Sequence, residues 1–287
     1  MISYNTKDWF TFIFRFHKAD TFRQLLPLII SIGIYTGIIA YLELEYFKLS
    51  ENHNLKNIPI MHSMLGFVIS LLLVFRTNTA YDRWWEGRKQ WGALVNNSRN
   101  LAIKISAILI NKEDRLLFKK LIPYFAQVLS LHLKNEEITH ELFDELNIDI
   151  SHKKHKPSQI IRVMTRKMIE LKKDNKLTDE NLLFINNELI SFLDICGACE
   201  RIKNTPIPFS YSIFLKKFIF FYVMTLPFGY VFSLGYLTIP VVIFIFYVLA
   251  SLELIAEEIE EPFGSDQNDL PTDKIAENIK KNIEEIL

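Results

Sequence analysis

Along this chain, uncharged stretches of helical length alternate with segments dense in charge, and the alternation predicts where lipid begins and ends. From Leu25 to Leu42 no residue is charged, and a helix needs about 20 mainly apolar residues to cross a bilayer core. Gly33 and Gly37 stand four apart within it, a small-residue spacing that lets helix backbones approach closely, although the same glycines would also ease local bending. A second uncharged stretch, Asn57 to Phe75, is weaker in hydropathy because His62, Ser63, Gly66 and Ser70 interrupt it. Phe218 to Leu252 carries no charge at all. As one helix rising about 1.5 Å per residue it would overrun the roughly 30 Å hydrocarbon core, so it must fold back. Pro227, Gly229, Gly235 and Pro240 put the reversal near Ser233 to Thr238. The pattern therefore predicts an all-α membrane protein with four transmembrane helices.

Between the second and third spans lies a long polar segment, Arg76 to Tyr211. Its apolar residues recur at helical spacing in LAIKISAILI, in LFKKLIPYFAQVLSLHL and from Ile160 to Ile202, with Thr178, Asp179 and Glu180 forming a helix start. No convincing strand run interrupts it, which predicts a helical domain. Residues 134–157, with HKKHKP, form the best loop candidate. The expected organisation is an N-terminal segment (1–24), two spans (25–76), the helical domain (77–211), two further spans (212–256) and a charged amphipathic tail (257–287). Four spans put both termini on one side. Arg15, Lys18 and Arg23 precede the first span, the loop from Glu43 to Lys56 is net acidic, and Lys216 and Lys217 stand at the foot of the third span. The positive-inside rule then predicts a multi-pass cell-membrane protein with cytoplasmic termini and a cytosolic helical domain.

Composition agrees with this division. A hydrophobic fraction of 49% and mean hydropathy of +0.13 are high for a chain that also carries 23% charged residues. The formal net charge is zero, so no global field recruits nucleic acid. The N-terminus MISYNTKDWFTFIFRFHKAD mixes aromatics with charges and shows no cleavable signal. A glycine-rich phosphate loop, a G-x-S-x-G elbow and an H-E-x-x-H are all missing, which argues against an enzyme. Cys196-Gly-Ala-Cys199 has the spacing of half a zinc site or a redox pair, and His152 and His155 could supply further ligands; two buried thiols on a helix in a reducing compartment account for it more simply. After the last span, AEEIEEPFGSDQNDLP crowds Glu257, Glu258, Glu260, Glu261, Asp266 and Asp269 around a Pro-Phe-Gly turn. Ca²⁺ favours such oxygen-rich irregular loops, taking about 6–8 oxygens, while a solvated acidic turn is the plainer reading.

Phe67, Leu71 and Phe75 recur every fourth position and so share one helix face. Such a stripe faces lipid or a neighbouring helix in most membrane proteins, and a pore in channels. The span ends directly in FRTNTAYDRWWEGRKQWG.

That motif, CERIKNTPIPFSYS leading into the third span, and EEPFGSDQND after the fourth stand in an order that resembles the bestrophin family of ion channels over nearly the whole chain. The resemblance implies a homopentamer in the lipid bilayer, with one central pore and a cytosolic vestibule, passing small monovalent ions. It implies a hydrophobic neck at Phe67, Leu71 and Phe75, and a cytosolic aperture at Ile207 between Pro206 and Pro208. It also implies a Ca²⁺ clasp at Glu258, Glu261, Asp266 and Asp269. Ser265, Gln267 and Asn268 dilute the unbroken acidic run of animal members, which puts calcium gating in question; no other cofactor is expected. Animal members pass anions, whereas prokaryotic relatives need not share that selectivity, and Glu43, Glu45 and Glu51 beside Lys48 and Lys56 leave the sign open. A secondary transporter would show paired repeats and mid-membrane ionisable groups, of which only His62 is present. A membrane-anchored scaffold would be indifferent to changes in the apolar stripe.

Overall fold

The computed structural model describes residues 21–48, 57–137 and 155–287; these form helices joined by loops, with no strand among them. The helices are α1 (Thr21–Tyr41), α2 (Ile58–Ile108), α3 (Lys112–Lys134), α4 (Lys156–Lys173), α5 (Asp179–Asn204), α6 (Phe209–Thr225), α7 (Pro227–Leu234), α8 (Thr238–Glu260) and α9 (Thr272–Ile286). They divide into two compact units: an apolar unit ending at Arg83 and resumed over Pro206–Glu260, and a helical unit of Trp84–Thr205 with Glu261–Leu287.

In the apolar unit α1 packs along α8. Both glycines of α1 face that partner: a Cβ on Gly33 would come within 2.9 Å of Ile243 Cδ1, and one on Gly37 within 3.7 Å of Ile239 Cδ1. Close packing, rather than bending, is what the spacing serves. A π-helical turn, Leu42–Tyr46, extends α1. α6 and α7 lead to Gly235, whose φ of +54° is open to glycine at little steric cost, and the chain returns as α8. The reversal falls inside the interval marked by the glycines and prolines. Leu25, Ile29, Ile69, Leu73, Leu215, Val223, Val242 and Phe246 form the core of this unit.

Among the described residues, four helical stretches are long and apolar enough to cross a membrane: Thr21–Tyr46, Ile58–Ile108, Asp179–Asn204 and Phe209–Glu260. The last is broken at Gly235, with α6 and α7 before the break and α8 after it. Asp179–Asn204, which is α5, is the least apolar, with mean hydropathy 1.4 against 2.1 to 2.4 for the others. It joins the core of the helical unit through Phe192, Ile195, Cys196 and Cys199, and its Glu188 pairs with Lys104 at 2.7 Å. α5 therefore belongs to the core of the helical unit.

α2 runs 51 residues without interruption. Its proline, Pro59, sits in the first turn, where a missing N–H breaks no bond. Beyond Arg83 the same helix carries Trp91, Leu94, Leu101 and Ile105 into the core of the helical unit, against Phe118, Phe125 and Leu129 of α3. Asn111 caps α3, its side chain accepting from the Glu113 amide, and Thr178 caps α5 by accepting from the Asn181 amide. The segment 257–287 is not a separate tail: α8 continues to Glu260, and Phe263, Leu270, Ala276, Ile279 and Ile283 are built into the core of the helical unit. Its amphipathic face needed a partner, and α3 supplies it. Most of the loop expected over 134–157 lies outside the described residues.

Candidate functional site

The stripe on α2 is exposed within the single chain. Phe67, Leu71 and Phe75 are 73%, 46% and 58% accessible, whereas Ile69 and Leu73 on the opposite face are 1% and 2%. Ile60 and Met64 extend the exposed face toward the start of the helix. Hydroxyls beside it are turned back on the helix: Ser63 Oγ donates to the Pro59 carbonyl at 2.9 Å, Ser70 Oγ to Gly66 at 2.7 Å and Thr79 Oγ1 to Phe75 at 2.9 Å. Their protons serve the backbone, so these hydroxyls offer the face no free donor. His62 points the other way. It is buried, its ring contacting the Ile58 carbonyl and the Thr225 hydroxyl, which suits packing between α2 and α6 and not ion relay.

At the foot of the stripe the charge returns, and it returns buried. Arg76 is 2% exposed. Its Nη1 lies 2.7 Å from Glu260 Oε2, an ion pair by distance, and its Nε donates to Glu253 Oε2 at 3.4 Å. Glu260 also accepts from the Ile207 amide through Oε1 at 2.6 Å, while its backbone carbonyl accepts from Arg83 Nε at 3.0 Å. One carboxylate thus joins α2, α8 and the Pro206–Pro208 turn. Ile207 itself is half-buried. Sequence reading singled out the acids around Glu260 and missed Glu260, Glu253 and Arg76 as a set. A signal existed: Arg76 is the first charge after one uncharged span and Glu253 the first after another, and charges at such places need partners.

Two of the four marked acids are joined within the loop itself. Asp266 and Asp269 meet: the Asp266 amide donates to Asp269 Oδ2 at 2.6 Å, and the Asp269 amide to the Asp266 carbonyl at 3.2 Å. Glu258, on α8, accepts from Gln24 Nε2 at 3.2 Å. Glu261 belongs, with Asp266 and Asp269, to the helical unit. The loop is tucked in rather than solvated, with Phe263 and Leu270 3% exposed and Asp269 2%. Trp84 Nε1 holds it through the Asn268 carbonyl at 3.0 Å. Gly87 on α2 makes room for it, since a Cβ there would lie 3.0 Å from Phe263 Cζ and 3.2 Å from Leu270 Cδ1.

Two other expectations change. Of the acids grouped as Glu43, Glu45 and Glu51, Glu43 is 4% exposed and so withdrawn from solvent, whereas Glu45 is exposed; Glu51 lies outside the described residues. Cys196 and Cys199 are buried and free. Burial pushes the Cys196 thiol up to about 12 and raises Cys199 as well, with the Glu200 charge adding to both. Such thiols are poor metal ligands and poor nucleophiles. His155 turns to Glu200 instead of to them, and His152 lies outside the described residues.

The model of the family described as Bacterial/Fungal Bestrophin protein matches residues 1–285. This chain is a bestrophin. It is 35% identical over 290 residues to a voltage-dependent anion channel-forming protein of Nostoc sp., covering 98% of this chain and 92% of that protein. A protein of the same description from Salmonella typhi is 30% identical over 284 residues, covering 98% and 92%. A crystal structure of a bacterial bestrophin homologue from Klebsiella pneumoniae, carrying a single mutation, superposes with a TM-score of 0.80 at 25% identity, covering 92% of this bestrophin and 98% of that chain.

Proposed function

We propose that this bestrophin conducts small anions across a membrane as a closed ring of identical chains, five by family resemblance, with the exposed face of α2 lining the pore. The observation that carries the reading is that face: a helix long and apolar enough to cross a bilayer keeps Phe67, Leu71 and Phe75 accessible while burying Ile69 and Leu73. One face of one helix cannot enclose a conduit, so several copies are required around an axis. The apolar neck would gate by dewetting, with little binding of its own. Ile207, held by Glu260, would form a second constriction on the cytoplasmic side, where both termini and the helical unit would lie. Anion selectivity is supported by the naming of the relatives and by the withdrawal of Glu43 from the surface. For the Pro-Phe-Gly loop the geometry favours a structural role over a Ca²⁺ clasp, because the Asp269 carboxylate already closes the loop on the Asp266 amide.

The test is current through the purified protein in a planar bilayer under a KCl gradient. A reversal potential near the chloride equilibrium is expected. A value near the potassium equilibrium would overturn the anion assignment, and a silent bilayer would favour a membrane-anchored scaffold.

A further inference from the structure

Within the helical unit, three helices bring three ligand-type side chains to one point. His132 lies in the last turn of α3, His155 is the residue capping α4, and Glu200 lies in the last turns of α5. His132 Nε2 is 2.6 Å and His155 Nε2 2.7 Å from the same atom, Glu200 Oε1. The imidazoles stand edge to face, with ring centroids 4.9 Å apart and planes at 86°. The ligand atoms of all three lie within 4.8 Å of one another, and among the described residues no other group of His, Cys, Asp or Glu is so gathered. All three side chains are about one-third exposed, which leaves an ion a path in.

We propose that His132, His155 and Glu200 form a divalent-metal site suited to Zn²⁺, pinning the ends of α3 and α4 to α5. Two imidazoles and a carboxylate are a zinc donor set, with a fourth position left to water. At metal–ligand distances of about 2.0–2.2 Å, tetrahedral ligands stand about 3.3 Å apart. Each nitrogen therefore has to draw back from Glu200 by roughly 0.6 Å, within reach of small side-chain rotations. His155 also carries its supporting partner. In the helix cap its Nδ1 accepts from the Ser158 amide, and the Ser158 hydroxyl lies 2.6 Å away. When Nε2 takes the metal, Nδ1 holds the proton, gives up the bond from the Ser158 amide and donates to that hydroxyl, the second hydrogen bond that orients a metal-bound histidine. The nearby Lys203 does not compete for the carboxylate: its Nζ is anchored on the His132 carbonyl and on Asn135.

The full-length protein, stripped by chelator and held in detergent, is titrated with Zn²⁺ against a chromogenic competitor, and with Co²⁺, whose visible bands report tetrahedral coordination. The expected result is one ion per chain, with binding at least about tenfold weaker in His132→Gln and Glu200→Gln and in Ser158→Ala. His155→Asn should lose the ion while keeping the cap, since asparagine also caps helices. The double variant Cys196→Ser, Cys199→Ser should bind as the parent does. Circular dichroism of each variant checks that helix content is kept. Uptake of less than one ion per chain, or equal uptake by the parent and by folded Glu200→Gln and His155→Asn, would overturn the site and leave the trio as a hydrogen-bonded clasp.

Discussion

Replacing Glu260 separates the consequences of the buried charge from those of the turn it holds. In Glu260→Ala, Arg76 keeps only Glu253 at 3.4 Å and the Ile207 amide loses its acceptor. Breaking one side of a buried ion pair costs about 3–5 kcal/mol. The second contact to Glu253 puts the charge term near the lower end, and the lost amide bond adds about 1 kcal/mol because Ile207 is half-buried and water can replace part of it. A loss of about 4 kcal/mol lowers an apparent Tm by roughly 10 °C, taking the per-kcal shifts of chains of 150–250 residues. Glu260→Asp keeps a charge for Arg76 and shortens the reach to Ile207, so it should lose about 1 kcal/mol while still changing permeation. Thermal unfolding in detergent and single-channel recording on both variants form the assay. If Glu260→Ala melts within about 2 °C of the parent and conducts identically, the network neither stabilises the apolar unit nor sets the position of Ile207.

Leu71→Ala and Phe75→Ala should widen and wet the neck and raise open probability; currents equal to the parent's would remove these residues from the pore. Ile207→Ala should alter conductance or relative permeability, and an unchanged channel would remove the aperture role. Gly87→Leu places a side chain where Phe263 and Leu270 now pack, so it should cost about 1–3 kcal/mol and expose the 261–271 loop to protease. Unchanged proteolysis would show that the loop docks elsewhere. Because Asp269 closes the loop on the Asp266 amide, channel activity should be indifferent to Ca²⁺ chelator; a chelator-sensitive current abolished by Asp266→Ala would restore the clasp.

The spans were readable because the absence of charge over a helical length is a property of consecutive residues. The turn at Gly235 was readable for a similar reason: a positive φ needs a residue type that the chain displays openly. Gly33 and Gly37 announced a close contact without naming α8 as the partner. The Arg76–Glu253–Glu260 network joins positions 177 residues and more apart, and helical periodicity holds no record of such pairings. The same limit hid the docking of α9, whose apolar stripe was visible while its partner α3 was not. Burial reversed two surface readings, at Glu43 and Asp269, since an acidic cluster looks solvated until packing decides which carboxylate turns inward. α5 shows the converse, an apolar helix whose composition alone suits lipid and whose neighbours place it in a polar unit's core.

The two native thiols bear on how this channel can be mapped. Cys196 and Cys199 are 1% and 0% exposed, and their burial holds them in the protonated form that alkylating reagents attack poorly. The wild-type chain is therefore already a silent background for thiol labelling. Single cysteines placed at Phe67, Leu71, Phe75 or Ile207 can be probed one at a time with charged methanethiosulfonates, with no native cysteine removed first. Positive and negative reagents applied to the same position would then read the electrostatic preference of the conduit directly, residue by residue.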